Sequence, residues 1–151
     1  MTGLRWEDVE DCFSLDGSLR DAYVQDTGLT DWQTFLDLVR ARWPHTYTVD
    51  QREQRLPERA DDVLNRGDDD ARLLDIRPVP EIQANVHFFT VEQIEIDFAP
   101  AELLGQRRLD VLLAFFRDIG RALGKPVIFT PENVPERPLF TYDPRHDRVT
   151  R

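Results

Sequence analysis

One cysteine, Cys12, is all the sulfur chemistry of its kind in this chain of 151 residues, so no internal disulfide can form. Its neighbours Glu10, Asp11 and Phe13 are anionic or apolar, a setting that opposes thiolate formation. Cys12 therefore reads as a small buried hydrophobe. Lysine is nearly missing too: of 19 basic residues only Lys125 is lysine. No apolar run approaches the roughly 20 residues that a membrane helix needs; the longest is "VLLAFF". The opening "MTGLRWEDVEDCFSL" has no basic start followed by an apolar stretch, so no signal peptide is expected. Together these absences lead to an expectation of a bacterial-type cytoplasm and no membrane association. There is no glycine-rich phosphate loop, no serine in a nucleophile elbow and no Cys/His zinc spacing. No cofactor is expected.

What the chain has is acid. The net charge is −10, and its placement is uneven. Residues 1–100 carry 22 acidic and 10 basic side chains, whereas residues 101–151 carry 7 and 9. Such a field keeps a protein soluble, repels nucleic acid and attracts a basic partner. Arg107, Arg108, Arg117 and Arg121 do recur along one segment. Asp110 and Asp118 interrupt them, and the molecule as a whole is anionic, so no phosphate-binding surface is read there.

With 40% hydrophobic and 32% charged residues the chain is globular, and its length suits one domain, 1–151. "SLRDAYVQDTG" predicts a strand near 19–26. "TDWQTFLDLVRARWP" predicts a helix over 31–42: Trp32, Phe35, Leu36, Val39 and Trp43 keep helical spacing, and Pro44 stops it. Thr30 and Gln33 form an expected capping box. "HTYTVD" reads as a short strand. From Gln51 to Asp70 the chain turns polar and charged, with a short helix expected in "PERADDVLNR", stopped by Gly67. The triplet Asp68, Asp69 and Asp70 lacks the alternating carboxylates, glycine and distal glutamate of a calcium loop. Strands follow near 72–78, at 82–90 and in "QIEIDF", the last two forming a hairpin whose turn lacks Gly or Asn.

The longest helix is expected at about 107–123, with Leu109, Leu112, Leu113, Phe116, Ile119 and Leu123 on one face, Gly124 past its end and Pro126 behind. Strands near 126–130 and 138–143 close the pattern, and the polar tail from Arg145 is expected to fray. Helices are too few, and strands too often consecutive, for a doubly wound sheet. The fold class expected is α+β: a mostly antiparallel sheet with two main amphipathic helices packed on it.

One constellation could carry chemistry. In the hairpin, Asn85 and His87 share a face with Glu95 and Asp97, and cross-strand neighbours on one face lie about 5 Å apart. Three readings stay open: a solvated sheet face, a protein-contact surface, or a metal or acid–base site in a metal-dependent enzyme.

The stretch "FFRDIGRALGKPVIFTPENVPERPLFTYDP" resembles the end of small bacterial immunity proteins of polymorphic-toxin systems. In those a helix ending G(R)xLGK leads through a TPE strand end into a last strand. "DWQTFLDLVR" is similar in character, and the resemblance spans about a third of the chain. It implies a protein that binds a cognate toxin and occludes its active site or substrate surface. Many such toxins are basic nucleases, so the implied partner is a basic toxin domain. No family residue roles carry over, because the matching positions look structural. The candidate partner-binding residues are acidic: Glu95 and Asp97 on the strand, Asp61 and Asp62 on the short helix, and Asp68, Asp69 and Asp70 in the loop. A regulatory or scaffolding protein is the remaining class.

Overall fold

The computed structural model describes residues 3–65 and 70–151. Among the described residues alternating side chains build nine strands: β1 (Arg20–Gln25), β2 (His45–Val49), β3 (Arg52–Gln54), β4 (Arg72–Val79), β5 (Ile82–His87), β6 (Gln93–Phe98), β7 (Val127–Pro131), β8 (Phe140–Asp143) and β9 (Arg148–Thr150). They form one sheet in the order β3-β2-β4-β5-β6-β1-β7-β8-β9, and every pairing is antiparallel. With its helices this makes a mixed α+β architecture. Most neighbouring strands are also neighbours in sequence, but β1 is inserted between β6 and β7.

The strands alternate between two faces with period two. One face carries Tyr47, Leu74, Ala84, Val86, Ile94, Ile96, Ala22, Val24, Phe129 and Phe140, all in the main core cluster. The helices add to that same cluster. The N-terminal helix α1 (Trp6–Val9) and the 3-10 turn after it supply Val9, Cys12 and Phe13. Helix α2 (Leu29–Arg42) buries Trp32, Phe35, Leu36 and Val39. The short α3 (Ala60–Leu64) buries Ala60 and Val63. Helix α4 (Gln106–Leu123) buries Leu109, Leu112, Leu113, Phe115, Phe116, Ile119 and Gly120, and touches α2, β4, β7 and β8. Each fully buried Leu or Phe contributes about 1.5–3 kcal/mol. Among the described residues no helix is long and apolar enough to cross a membrane.

Several expectations are corrected. The Thr30/Gln33 capping box does not form. Gly28 is the N-cap of α2, and its N–H donates to Asp31 Oδ2 at 3.0 Å. The Gln33 side chain instead ties α2 to α3, accepting from Ala60 N at 2.7 Å and donating to the Glu58 carbonyl at 2.8 Å. The strand expected at 82–90 ends at His87, the last residue paired with β6. The tail does not fray: Arg148–Thr150 pairs with β8, Val149 is buried, and Arg151 is joined to Asp11 across the chain ends. The short helix is only Ala60–Leu64, and its expected stop at Gly67 lies outside the described residues.

Two glycines at the end of α4 have a physical cause. Gly124 sits at φ 66°, the left-handed conformation that ends α4, and its N–H donates to the Gly120 carbonyl at 2.8 Å. Gly120 lets β8 approach the helix. A Cβ there would stand 2.7 Å from two ring carbons of Tyr142.

Candidate functional site

The second face of the sheet carries a different set of side chains. Tyr23 is buried yet stands apart from the main core cluster, because it points to this other face. One row across the strands reads Thr46, Asp75, Asn85, Asp97, Asp21 and Thr130. The next reads Thr48, Leu73, His87, Glu95, Tyr23, Ile128 and Thr141. The expected juxtaposition is present: Asn85 lies opposite Asp97, and His87 opposite Glu95.

The groups bond to one another. Asn85 Nδ2 donates to Asp97 Oδ1 at 3.0 Å, and His87 Nε2 donates to Asp97 Oδ2. Gln83 Nε2 donates to Asn85 Oδ1 at 2.7 Å, extending the chain of bonds toward Arg77. Two members were not anticipated. Asp21 is the Cα partner of Asp97 and is buried; its Oδ2 accepts from the Tyr23 hydroxyl at 3.0 Å and from Asn133 N at 2.7 Å. Tyr23 is the Cα partner of Glu95, and its hydroxyl also meets that carboxylate. The link from β7 to β8 thus reaches back over β1, held by Asn133 and by Glu132, whose Oε1 accepts from Leu19 N at 2.8 Å.

The electrostatics follow from burial and crowding. Desolvation raises the pKa of Asp21, and the neighbouring Asp97 and Glu132 add to it. Desolvation also raises Glu95, with Asp21 reinforcing the shift. Tyr23 is pushed well above its ordinary value by burial and by the charges of Asp21 and Glu95. His87 is raised chiefly by its hydrogen bond to Asp97, against the desolvation that opposes its charge. Three carboxylates on two adjacent strands therefore share a single neighbouring imidazole.

Beyond His87 the chain turns sharply, and Phe89 lies flat on the imidazole, with ring centroids 5.1 Å apart and planes 3° from parallel. Phe89 is nonetheless 73% exposed, the most open large hydrophobic side chain of the described residues. Phe88 points the other way and packs on Trp32 and Tyr47. This turn needs no Gly or Asn because the body of the protein holds it. The Val91 carbonyl accepts from Thr27 Oγ1 at 2.7 Å and from Trp32 Nε1 at 3.0 Å, and Thr27 N donates to the Glu92 carbonyl at 3.0 Å.

The acids that the sequence offers as contact residues fare unequally. Glu95 is half-buried at the edge of the cluster. Asp97 is only 14% exposed at its side chain, and both oxygens are used internally, so it positions its neighbours rather than meeting a partner. Asp61 is paired with Arg59, which holds its carboxyl below the usual range. Asp62 is exposed, Asp70 is half-buried, and Asp68 and Asp69 lie outside the described residues. Among the described residues no group of three or more His, Cys, Asp or Glu is placed to hold a metal ion. Of the four side chains Asn85, His87, Glu95 and Asp97, three are bonded to one another: Asn85 and His87 both donate to Asp97. Cys12 is buried, and burial raises its thiol pKa, which suits an inert cysteine.

What sequence reasoning missed most completely is Arg20. It is buried, and its guanidinium donates to the carbonyls of Cys12 at 2.7 Å, Ser14 at 2.9 Å and Leu19 at 3.0 Å, and to Ser18 Oγ at 2.9 Å. It clamps residues 12–19 over the sheet end and is structural. No family model, no curated protein and no solved structure matches the chain.

Proposed function

We propose that this protein is a cytoplasmic protein-binding inhibitor, an immunity protein that neutralises a cognate basic toxin domain by covering its active or substrate-binding surface. One observation carries the reading. With the helices on one side of the sheet, the other side carries the half-buried Glu95, backed by the buried carboxylates of Asp21 and Asp97, beside an open aromatic ring. In this reading α2 and α4 are the two amphipathic helices that back the sheet, and the face they leave free is the contact surface. Its negative potential competes with the phosphates that a basic nuclease would bind and steers association. The uneven charge along the chain and the resemblance to immunity proteins point the same way.

The test is co-expression with the catalytic domain encoded by the adjacent reading frame. The expected result is restored growth of the host and co-purification of the two chains. Loss of viability regardless of this protein, with no complex recovered, overturns the reading.

A further inference from the structure

We infer that Phe89, stacked on His87 in the turn that carries Glu92 and one strand from Glu95, is the anchor of the contact surface, and that it receives an arginine side chain of a basic protein partner. The inference rests on the proposed inhibitor function and names where and how the partner is gripped.

An exposed aromatic ring in water is costly unless something covers it, yet single exposed hydrophobics are common on protein surfaces. Phe89 differs in being held. One face lies flat on His87, whose ring is fixed in turn by Asp97. Its turn is tied to α2 and to the preceding loop through Trp32 and Thr27. A ring already fixed loses little ordering entropy on binding, and rigid aromatics with open faces are what binding hot spots are made of.

The chemistry around the ring selects the occupant. Glu95 is the Cα partner of His87, and Glu92 follows in the same turn. A cationic chain of the protein's own, Arg72, lines the hollow beside Phe89, but it donates to the Val63 carbonyl. A planar guanidinium suits this place better than an ammonium. It stacks on the free face of Phe89 while its N–H groups point outward in plane toward carboxylates. Burial raises the pKa of Glu95, and an arriving cation would offset that cost.

The experiment uses the full chain, labelled with nitrogen-15 and titrated at low salt with hexa-arginine and, separately, hexa-lysine. The largest amide shifts are expected at His87, Phe89, Glu92 and Glu95, with hexa-arginine bound more tightly. Phe89→Ala weakens hexa-arginine binding by about threefold to thirtyfold, and Phe89→Tyr, which keeps a ring, restores it. Shifts centred instead on Asp61 and Asp62, or equal affinity in Phe89→Ala, overturn the inference. A second arm measures the adjacent-frame catalytic domain against parent and Phe89→Ala. A domain that binds both equally overturns the anchor while leaving the inhibitor reading intact. If the peptide maps to Phe89 but the domain binds neither chain, the arginine surface stands and the toxin reading fails.

Discussion

Gly120 of α4 and Tyr142 of β8 are in such close approach that the tyrosine ring occupies the place of a missing side chain, 2.7 Å from where a Cβ would stand. This contact seats the long helix on the far half of the sheet. Gly120→Ala therefore overpacks the core and costs about 1–3 kcal/mol, a fall in Tm of about 2–10 °C. Tyr142→Leu in the same chain removes the clash, so the double variant loses less than the sum of the two single changes. Denaturant titration of the four proteins measures the coupling.

Arg20 is predicted to be the costliest single polar side chain to remove. Arg20→Met strands the carbonyls of Cys12, Ser14 and Leu19 without their donor and costs about 3 kcal/mol. Limited proteolysis should then cut first between residues 12 and 19, which the parent protects.

The buried acids set a pH dependence with a definite sign. Asp21 and Glu95 have raised pKa values in the folded protein, so the folded state holds their protons more tightly than the unfolded chain. Their protonated forms favour folding, and this contribution fades as pH rises from the ordinary carboxylate range through the raised values. Asp21→Asn, which stays neutral, should accordingly gain stability relative to the parent as pH is raised from about 4 to about 7, in urea titrations at each pH.

His87 behaves in parallel at higher pH. Its raised pKa comes first from the bond to Asp97, so the stabilisation it supplies is fully present below its ordinary value of 6.5 and is lost as pH climbs through the folded value. Asp97→Asn lowers the His87 pKa toward 6.5 and costs about 1–3 kcal/mol below that pH. Imidazole proton shifts followed by NMR report the pKa directly, and an unchanged titration in Asp97→Asn would break the assignment.

How much of this was legible follows from where the information lies. Alternation in Ile94, Ile96 and Phe98, and helical spacing in Leu109, Leu112, Leu113 and Phe116, are local patterns, and the strand and helix they predict form with shifts of a residue or so. The hairpin partners Asn85–Asp97 and His87–Glu95 were readable because the two strands are close in sequence and side chains repeat every second residue. Asp21 and Tyr23 were not, because β1 and β6 lie far apart in the chain, and nothing local announces that pairing. The cap at Gly28 was missed because glycine has no side chain to mark a cap, while Thr30 and Gln33 two residues on carry the capping-box spacing. The strand β9 was missed because Arg148–Thr150, with only Val149 apolar, carries too short a pattern.

Whether an acidic surface grips a basic toxin domain is tested most directly by isothermal titration of the intact protein against the adjacent-frame catalytic domain. The expected result is a one-to-one complex with a dissociation constant on the order of nanomolar, weakened about tenfold or more as salt is raised. An absence of binding at micromolar concentrations in low salt, or tight binding indifferent to salt, would contradict it.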